Sequence, residues 1–198
     1  RECIGCNICI ASWHDGVPVR CTQNATAGEE WRRGWHPERF ARTTQPDSVL
    51  VVGGGPAGLE AALIAAKQGF EVTIAEQTDE WGGRVLQESQ LPGMATWRRV
   101  RDYRVWALSQ MGNVSMYTNS ELDAVAALSF GADHIAVATG ARWTRRLYSA
   151  LEIPAAPLDL PQIFTPENVF AGAVSGDRVL VFDYDNYYLG GVIAEHLA

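Results

Sequence analysis

The chain lacks the features that would mark a membrane or nucleic-acid protein. Its most apolar stretch, Val49 to Ala66, contains four glycines, Pro56 and Glu60. A spanning helix needs about 18 or more uninterrupted apolar residues, so a membrane span is not expected. Basic residues are in deficit, 16 Lys plus Arg against 23 Asp plus Glu, for a net charge of −7. That balance argues against a basic face for DNA or RNA. With 47% apolar and 20% charged residues, the 198-residue chain has a globular composition, which excludes wholesale disorder. No basic-then-apolar secretion segment opens it. It starts at Arg1, two residues before a cysteine, and stops at Ala198 in a helix-like run, so a piece of a longer polypeptide is expected.

Cysteine is also scarce, but its placement is informative. Cys3, Cys6, Cys9 and Cys21 form C-x2-C-x2-C-x11-C. Four thiolates are the ligand set of a 4Fe–4S cluster. A tight loop lets three sulfurs converge on one small object, with Gly5 permitting the turn, and Cys21 supplies the fourth ligand. Disulfides suit a secreted chain, and cysteines three apart seldom pair well. Zinc usually draws two separated pairs rather than a triplet and a singleton. The cluster reading implies a reducing, cytoplasmic setting. His14 and His36 lie nearby, but four cysteines complete the set, so both are read as polar or packing residues.

Beyond a polar, proline-bearing linker at Ala41–Asp47, Ser48–Val52 reads as a buried strand running into Gly53-Gly54-Gly55-Pro56-Ala57-Gly58. An alanine-rich helix, Leu59–Lys67, follows, then a second strand, Glu71–Ala75. Gly53 allows the tight turn, Gly55 lets backbone approach a pyrophosphate, and Gly58 lets helix pack on strand. The phosphates would sit on free N–H groups at the helix N-terminus. Glu76, 18 residues after Gly58, is placed to bind ribose hydroxyls and to disfavour a 2′-phosphate. Met94–Met111 is expected as one helix with Arg98, Arg99, Arg101 and Arg104 on its surface, either a solvated face or a docking face for an acidic partner. Trp13, Trp31, Trp35, Trp97, Tyr103 and Trp106 are read as packing residues, one or two of which could lie on an electron exit path.

A repeat lies 130 residues further on, where Arg178-Val-Leu-Val-Phe-Asp-Tyr-Asp-Asn-Tyr-Tyr aligns with Ser48 to Gly58. A second strand and helix, the latter Leu189–Ala198, are therefore expected. Asp183, Asp185 and Tyr188 occupy the glycine positions. Two carboxylates repel a pyrophosphate, and Tyr188 crowds the helix–strand contact. The second unit should keep the fold without binding NAD(P)H. A metal site from Asp183 and Asp185 is the alternative.

Two further pieces, Trp81-Gly82-Gly83-Arg84 and Ala132–Gly140 ending in A-T-G, resemble the two-dinucleotide-binding flavoproteins. That likeness adds Gly83, Arg84, Thr139 and Gly140 to Gly53, Gly55, Gly58 and Glu76 as candidate ADP- or FAD-binding residues. Taken with Glu2–Ile10, Cys21–Phe40, Thr139–Trp143 and Asp183–Gly191, the sequence resembles the C-terminal part of the trimethylamine, dimethylamine and histamine dehydrogenases, relatives of old yellow enzyme. The related 2,4-dienoyl-CoA reductases, the alternative assignment, use C-x2-C-x3-C spacing and keep a glycine-rich NADPH site in the second unit. A regulatory nucleotide-binding module without a barrel is a third reading.

The resemblance implies an α/β fold: a cluster segment and linker over 1–45, a Rossmann-like ADP or FAD domain over 46–145, and the start of a truncated second nucleotide-type domain over 146–198. It also implies an N-terminal (β/α)8 barrel carrying FMN, in which an amine is oxidised. Electrons would then pass through the 4Fe–4S cluster to an electron-transferring flavoprotein. The full-length protein is expected to be a homodimer. No catalytic residue is expected in this chain, which alone should not turn over an amine.

Overall fold

A computed structural model describes residues 2–34, 39–145, 160–183 and 187–198. The elements in order are α1 (Ile8–His14), α2 (Glu30–Arg33), β1 (Ser48–Val52), α3 (Pro56–Gln68), β2 (Glu71–Ala75), α4 (Arg84–Glu88), α5 (Arg99–Ser109), β3 (Val114–Tyr117), α6 (Ala124–Ser129), β4 (His134–Val137), α7 (Pro166–Phe170) and α8 (Leu189–Leu197). They fall into two compact units, Arg1–Ser89 with Met94–Gly140, and Gln90–Gly93 with Ala141–Ala198. Among the described residues no helix is long and apolar enough to cross a membrane.

The first unit is an α/β layer structure. Its parallel sheet has the order β3-β2-β1-β4. Parallel neighbours need a crossover connection, and α3 supplies the one between β1 and β2. β1 is central and buried on both faces, which accounts for its unbroken β-branched and leucine composition. Val51 points to the side where Leu59, Leu63, Ile74 and Leu108 pack. Leu50 and Val52 point to the other, against Ala127 of α6. Both β1 and β2 have the predicted bounds, and α3 begins with Pro56, whose fixed φ and missing N–H suit a first helical position.

The cysteine-bearing segment packs on this unit rather than hanging from it. Ile4 is buried with Val85 and Val100, and its carbonyl accepts from the Thr96 hydroxyl at 3.2 Å. The deeper anchor is Arg104. Its Nε donates to Glu60 Oε2 at 2.5 Å, its Nη1 to Gln23 Oε1 at 3.2 Å and to the Val100 carbonyl at 2.7 Å, and its Nη2 to the Thr22 carbonyl at 2.9 Å.

Several expectations need correction. Arg104 is not on the surface but 3% exposed, because Glu60 and three oxygens of its surroundings satisfy its donors. The predicted Met94–Met111 helix is a 3-10 turn at Ala95–Arg98 followed by α5. Trp13, Trp31 and Trp106 are exposed rather than packed, since the core is filled by aliphatic residues of β1, β2, α3 and α5. In the second unit α8 forms as expected, but Arg178–Phe182 is not a strand. A strand needs a ladder partner; none pairs with this stretch among the described residues, and Leu180 is 92% exposed. Trp35, His36, Asp185 and the proposed boundary at 145/146, which abuts residues 146–159, involve positions outside the described residues.

Two stability outcomes follow from this packing. Leu59→Ala should lower the unfolding free energy by about 2–5 kcal/mol in a denaturant titration, the usual cost of emptying a filled core site. The second concerns the start of β1. The Ser48 hydroxyl and N–H both donate to Asp133 Oδ2, at 2.7 and 2.8 Å. These bonds, with His134 nearby, hold the Asp133 carboxyl below its ordinary 3.8. A depressed folded value means that the contribution is full above the ordinary value and is lost as pH falls through the folded one. The stability difference between the parent and Asp133→Asn should therefore be present at neutral pH and close in strong acid. A gap that widens on acidification would contradict this.

Candidate functional site

The carboxyl ends of parallel strands share one edge of the sheet, and in open α/β sheets that edge is where ligands bind. Here the ladder runs one residue beyond each strand. Gly53 N–H donates to the Ala75 carbonyl, Glu76 N–H to Tyr117 and Ala138 N–H to Val52, each at 2.8 Å. Gly53, Glu76 and Ala138 are thus brought side by side.

Two glycines are required by the close fit. Gly53 has φ +109°, and a Cβ there would overlap the Ala138 carbonyl. A Cβ on Gly58 would overlap the Gly53 carbonyl oxygen and come 3.3 Å from Ala138 Cβ. The loop is thereby pulled tight and α3 is seated against the end of β1. Gly55 is extended, and nothing lies within 4 Å of where its Cβ would be. The open face of the loop is therefore beside the first turn of α3, where free N–H groups and the helix dipole favour an anion.

Glu76 is 6% exposed. Its Oε2 accepts from Gly54 N–H at 2.7 Å, and its Oε1 accepts from the N–H and hydroxyl of Thr78, both at 2.9 Å. The carboxylate is fixed against the glycine loop by three donors, and a carboxylate has about four acceptor positions. Trp81, Gly82 and Gly83 close over the same loop. Gly82 N–H donates to the Gly54 carbonyl at 2.9 Å. A Cβ on Gly54 would meet the Trp81 ring at 2.5 Å, and one on Gly83 would lie 3.2 Å from Gly55 Cα. Arg101 Nε secures the Trp81 carbonyl at 3.1 Å. Arg84 opens α4 with its Nε 3.9 Å from Glu88 Oε1. Thr139 and Gly140 are exposed on the segment leaving β4, Gly140 with φ +82°. Sequence reasoning missed the roles of Gly54, Thr78 and Trp81. Trp81 stands in the W-G-G-R motif, but neither spacing nor composition indicates a ring lying on Gly54.

The cysteines are free thiols: Cys3, Cys9 and Cys21 exposed, Cys6 half-buried. Polar groups lie against two of the sulfurs. Gly5 N–H is directed at Cys3 Sγ at 3.4 Å, and left-handed backbone at Gly5 and Asn7 curls the loop. Thr22 Oγ1 lies 3.2 Å from Cys6 Sγ, which brings the segment bearing Cys21 against the Cys3–Cys9 loop. The donor chemistry fits a four-thiolate cluster. Among the described residues, however, no three Cys, His, Asp or Glu side chains are grouped as a metal site.

In the second unit Asp183 lies at the first turn of α8, where a Cβ on Gly190 would meet its Oδ2 at 2.5 Å. A carboxylate thus occupies the space at that helix end. Arg98 and Arg99 are exposed on the first unit, Arg99 in an ion pair with Glu2 at 2.5 Å. Arg101 is partly buried and Arg104 enclosed, so the four arginines do not form one basic face.

The family described as FAD dependent oxidoreductase matches residues 48–111, from β1 past α5. Dimethylamine dehydrogenase of Hyphomicrobium sp. (strain x) is 40% identical over 210 residues, covering 100% of this chain and 28% of that protein. Histamine dehydrogenase from Rhizobium sp. 4-9 superimposes with a TM-score of 0.89 at 46% identity, over 99% of this chain and 29% of that one. 6-Hydroxypseudooxynicotine amine oxidase from Pseudomonas geniculata N1 gives 0.88 at 45% identity, over 100% and 30%. The chain spans under a third of the length of each of these relatives. With its glycine loop, buried Glu76 and cysteine segment in place, this chain belongs to the trimethylamine, dimethylamine and histamine dehydrogenase family and corresponds to the C-terminal part of its longer members.

Proposed function

We propose that this chain is the nucleotide-binding and electron-transfer region of an iron–sulfur flavoprotein amine dehydrogenase. The observation that carries the reading is a physical linkage within one packed unit. Arg104 bonds the Thr22 carbonyl, beside Cys21, and also Glu60 on the helix that starts at the glycine loop. A cysteine segment and a nucleotide loop so joined suit a relay whose parts must keep a fixed separation.

At the glycine loop the ligand is ADP or FAD. The first turn of α3 would receive the pyrophosphate, with Gly55 giving room for it and Gly53 and Gly58 holding the turn and the helix in place. Glu76 has one acceptor position left for a ribose hydroxyl once Gly54 and Thr78 are counted. Gly83, Arg84, Thr139 and Gly140 border the same site. Cys3, Cys6, Cys9 and Cys21 would hold a 4Fe–4S cluster, which when bound supplies one-electron transfer. The Asp183 carboxylate at the start of α8 opposes a second, anionic nucleotide by like charge. That favours a dehydrogenase over an NAD(P)H-dependent reductase. The rest of the protein would contribute an FMN barrel that oxidises an amine, a homodimer partner, and a surface for an electron-transferring flavoprotein.

Anaerobically purified protein should show broad absorbance near about 400 nm and about four irons per chain, as one cubane cluster requires. Acid should release ADP or FAD, and Cys21→Ser should lose the iron while keeping the nucleotide. Absence of iron after anaerobic reconstitution would remove the cluster from this reading.

Gly58→Ala and Glu76→Ala address the nucleotide. The added methyl of Gly58→Ala overlaps backbone, so it should cost about 1–3 kcal/mol of stability and weaken ADP binding measured by calorimetry. Glu76→Ala removes a charged acceptor. ADP should bind more weakly by about 1.5–3 kcal/mol, roughly ten- to a hundredfold or slightly more. Unchanged ADP affinity in both would show that the loop is not the binding site.

A further inference from the structure

We infer that Thr22, held in place by Arg104, is a positioning residue that tunes the reduction potential of the cluster bound by Cys6 and its partners. The inference rests on the cluster assignment above and deepens it.

Thr22 Oγ1 and Cys6 Sγ are 3.2 Å apart. Between a thiol and a hydroxyl either group can donate. Once Cys6 is a metal-bound thiolate it has no proton, and the hydroxyl becomes the donor of the pair. A hydrogen bond to a ligand sulfur stabilises the more negative, reduced state of a cluster and so raises its potential. The bond would be of little consequence if Thr22 were free to turn toward water, because the position is exposed. It is not free at its backbone. The Thr22 carbonyl accepts from Arg104 Nη2 at 2.9 Å, and the neighbouring Gln23 side chain accepts from Nη1 at 3.2 Å.

Arg104 is itself immobilised. It is enclosed, its Nε is bound to Glu60 on α3, and its Nη1 also donates to Val100 one turn earlier on α5. A planar guanidinium offers five donors in a rigid fork, so one side chain fixes two helices and the Thr22–Gln23 segment together. Lysine keeps the charge opposite Glu60 but can reproduce only part of this geometry. The chain of contacts runs from α3 through Arg104 and Thr22 to the Cys6 sulfur, and each link is a hydrogen bond between named atoms.

The test is potentiometric, on the anaerobically reconstituted full-length protein, with iron content and the reduced-cluster electron spin resonance spectrum recorded beside each titration. Thr22→Val preserves shape and removes the donor. It should keep the parent's iron content while its midpoint falls, by about tenfold in the reduction equilibrium, or about 59 mV for one electron. Thr22→Ser should restore the parent's value. Arg104→Lys should lower the midpoint as well, and Thr22→Val added to it should shift it little further, since both act through the same hydroxyl. A purely structural Arg104 would instead give additive shifts or lost iron at an unchanged midpoint. If the parent binds iron and Thr22→Val has the same midpoint, the tuning inference is overturned and the cluster assignment stands. If the parent binds no iron, the cluster assignment fails and the inference with it.

Discussion

The contact between Gly58 and the Gly53 carbonyl is the constraint from which the first unit is built. No side chain can stand there, so α3 comes down against the end of β1 with no spacing layer. That approach seats Leu59 and Leu63 in the core beside Val51 and Ile74. It also turns Glu60, one residue along from Leu59, toward α5, where Arg104 meets it. A shift of α3 away from the sheet would open the glycine loop and withdraw the partner of a buried guanidinium at once.

The buried ion pair is better understood as a specifier of geometry than as a source of stability. Removing two charges from water is expensive, and apolar substitutes of like volume often serve as well. What apolar residues cannot supply is directed bonding to the Thr22 carbonyl and the Gln23 amide. The cysteine segment buries little of its apolar surface; Ile4 is its buried contribution to a small cluster with Val85 and Val100. Directional bonds from Arg104 and the Thr96 hydroxyl compensate for that small core.

The parts of the fold that were legible in the sequence are those whose pattern is local. β1 and β2 are short β-branched runs bounded by turn residues, and their ends fall where expected. The glycine spacing and Glu76 carry their meaning in a fixed separation, which the parallel register converts into proximity. β3 and α6 were not recognised, because four residues of alternating exposure and six with one buried member give too little periodicity. Arg104 was misread for a different reason. Four arginines within seven residues look like a solvated face, and only the tertiary placement of Glu60 and Thr22 distinguishes the fourth. The unpaired Arg178–Phe182 run shows the converse limit. Strand propensity is present, but a strand is a relation between two segments, and no pairing segment lies among the described residues.

The helix starts of the two units, α3 and α8, differ in the groups that border them. In the first, the space before the helix is bordered by glycines, and three acceptor positions of the nearby Glu76 carboxylate are taken by Gly54 and Thr78. In the second, Asp183 itself lies against the opening turn of α8. A carboxylate at a helix N-terminus is stabilised by the same partial positive charge that would attract a phosphate. The protein's own acid can therefore satisfy that helix end without a ligand. The start of α3 is left open at Gly55, and the start of α8 is lined by a carboxylate. A chain that receives electrons from a flavin needs no pyridine nucleotide as donor, so the internal carboxylate costs the proposed relay nothing.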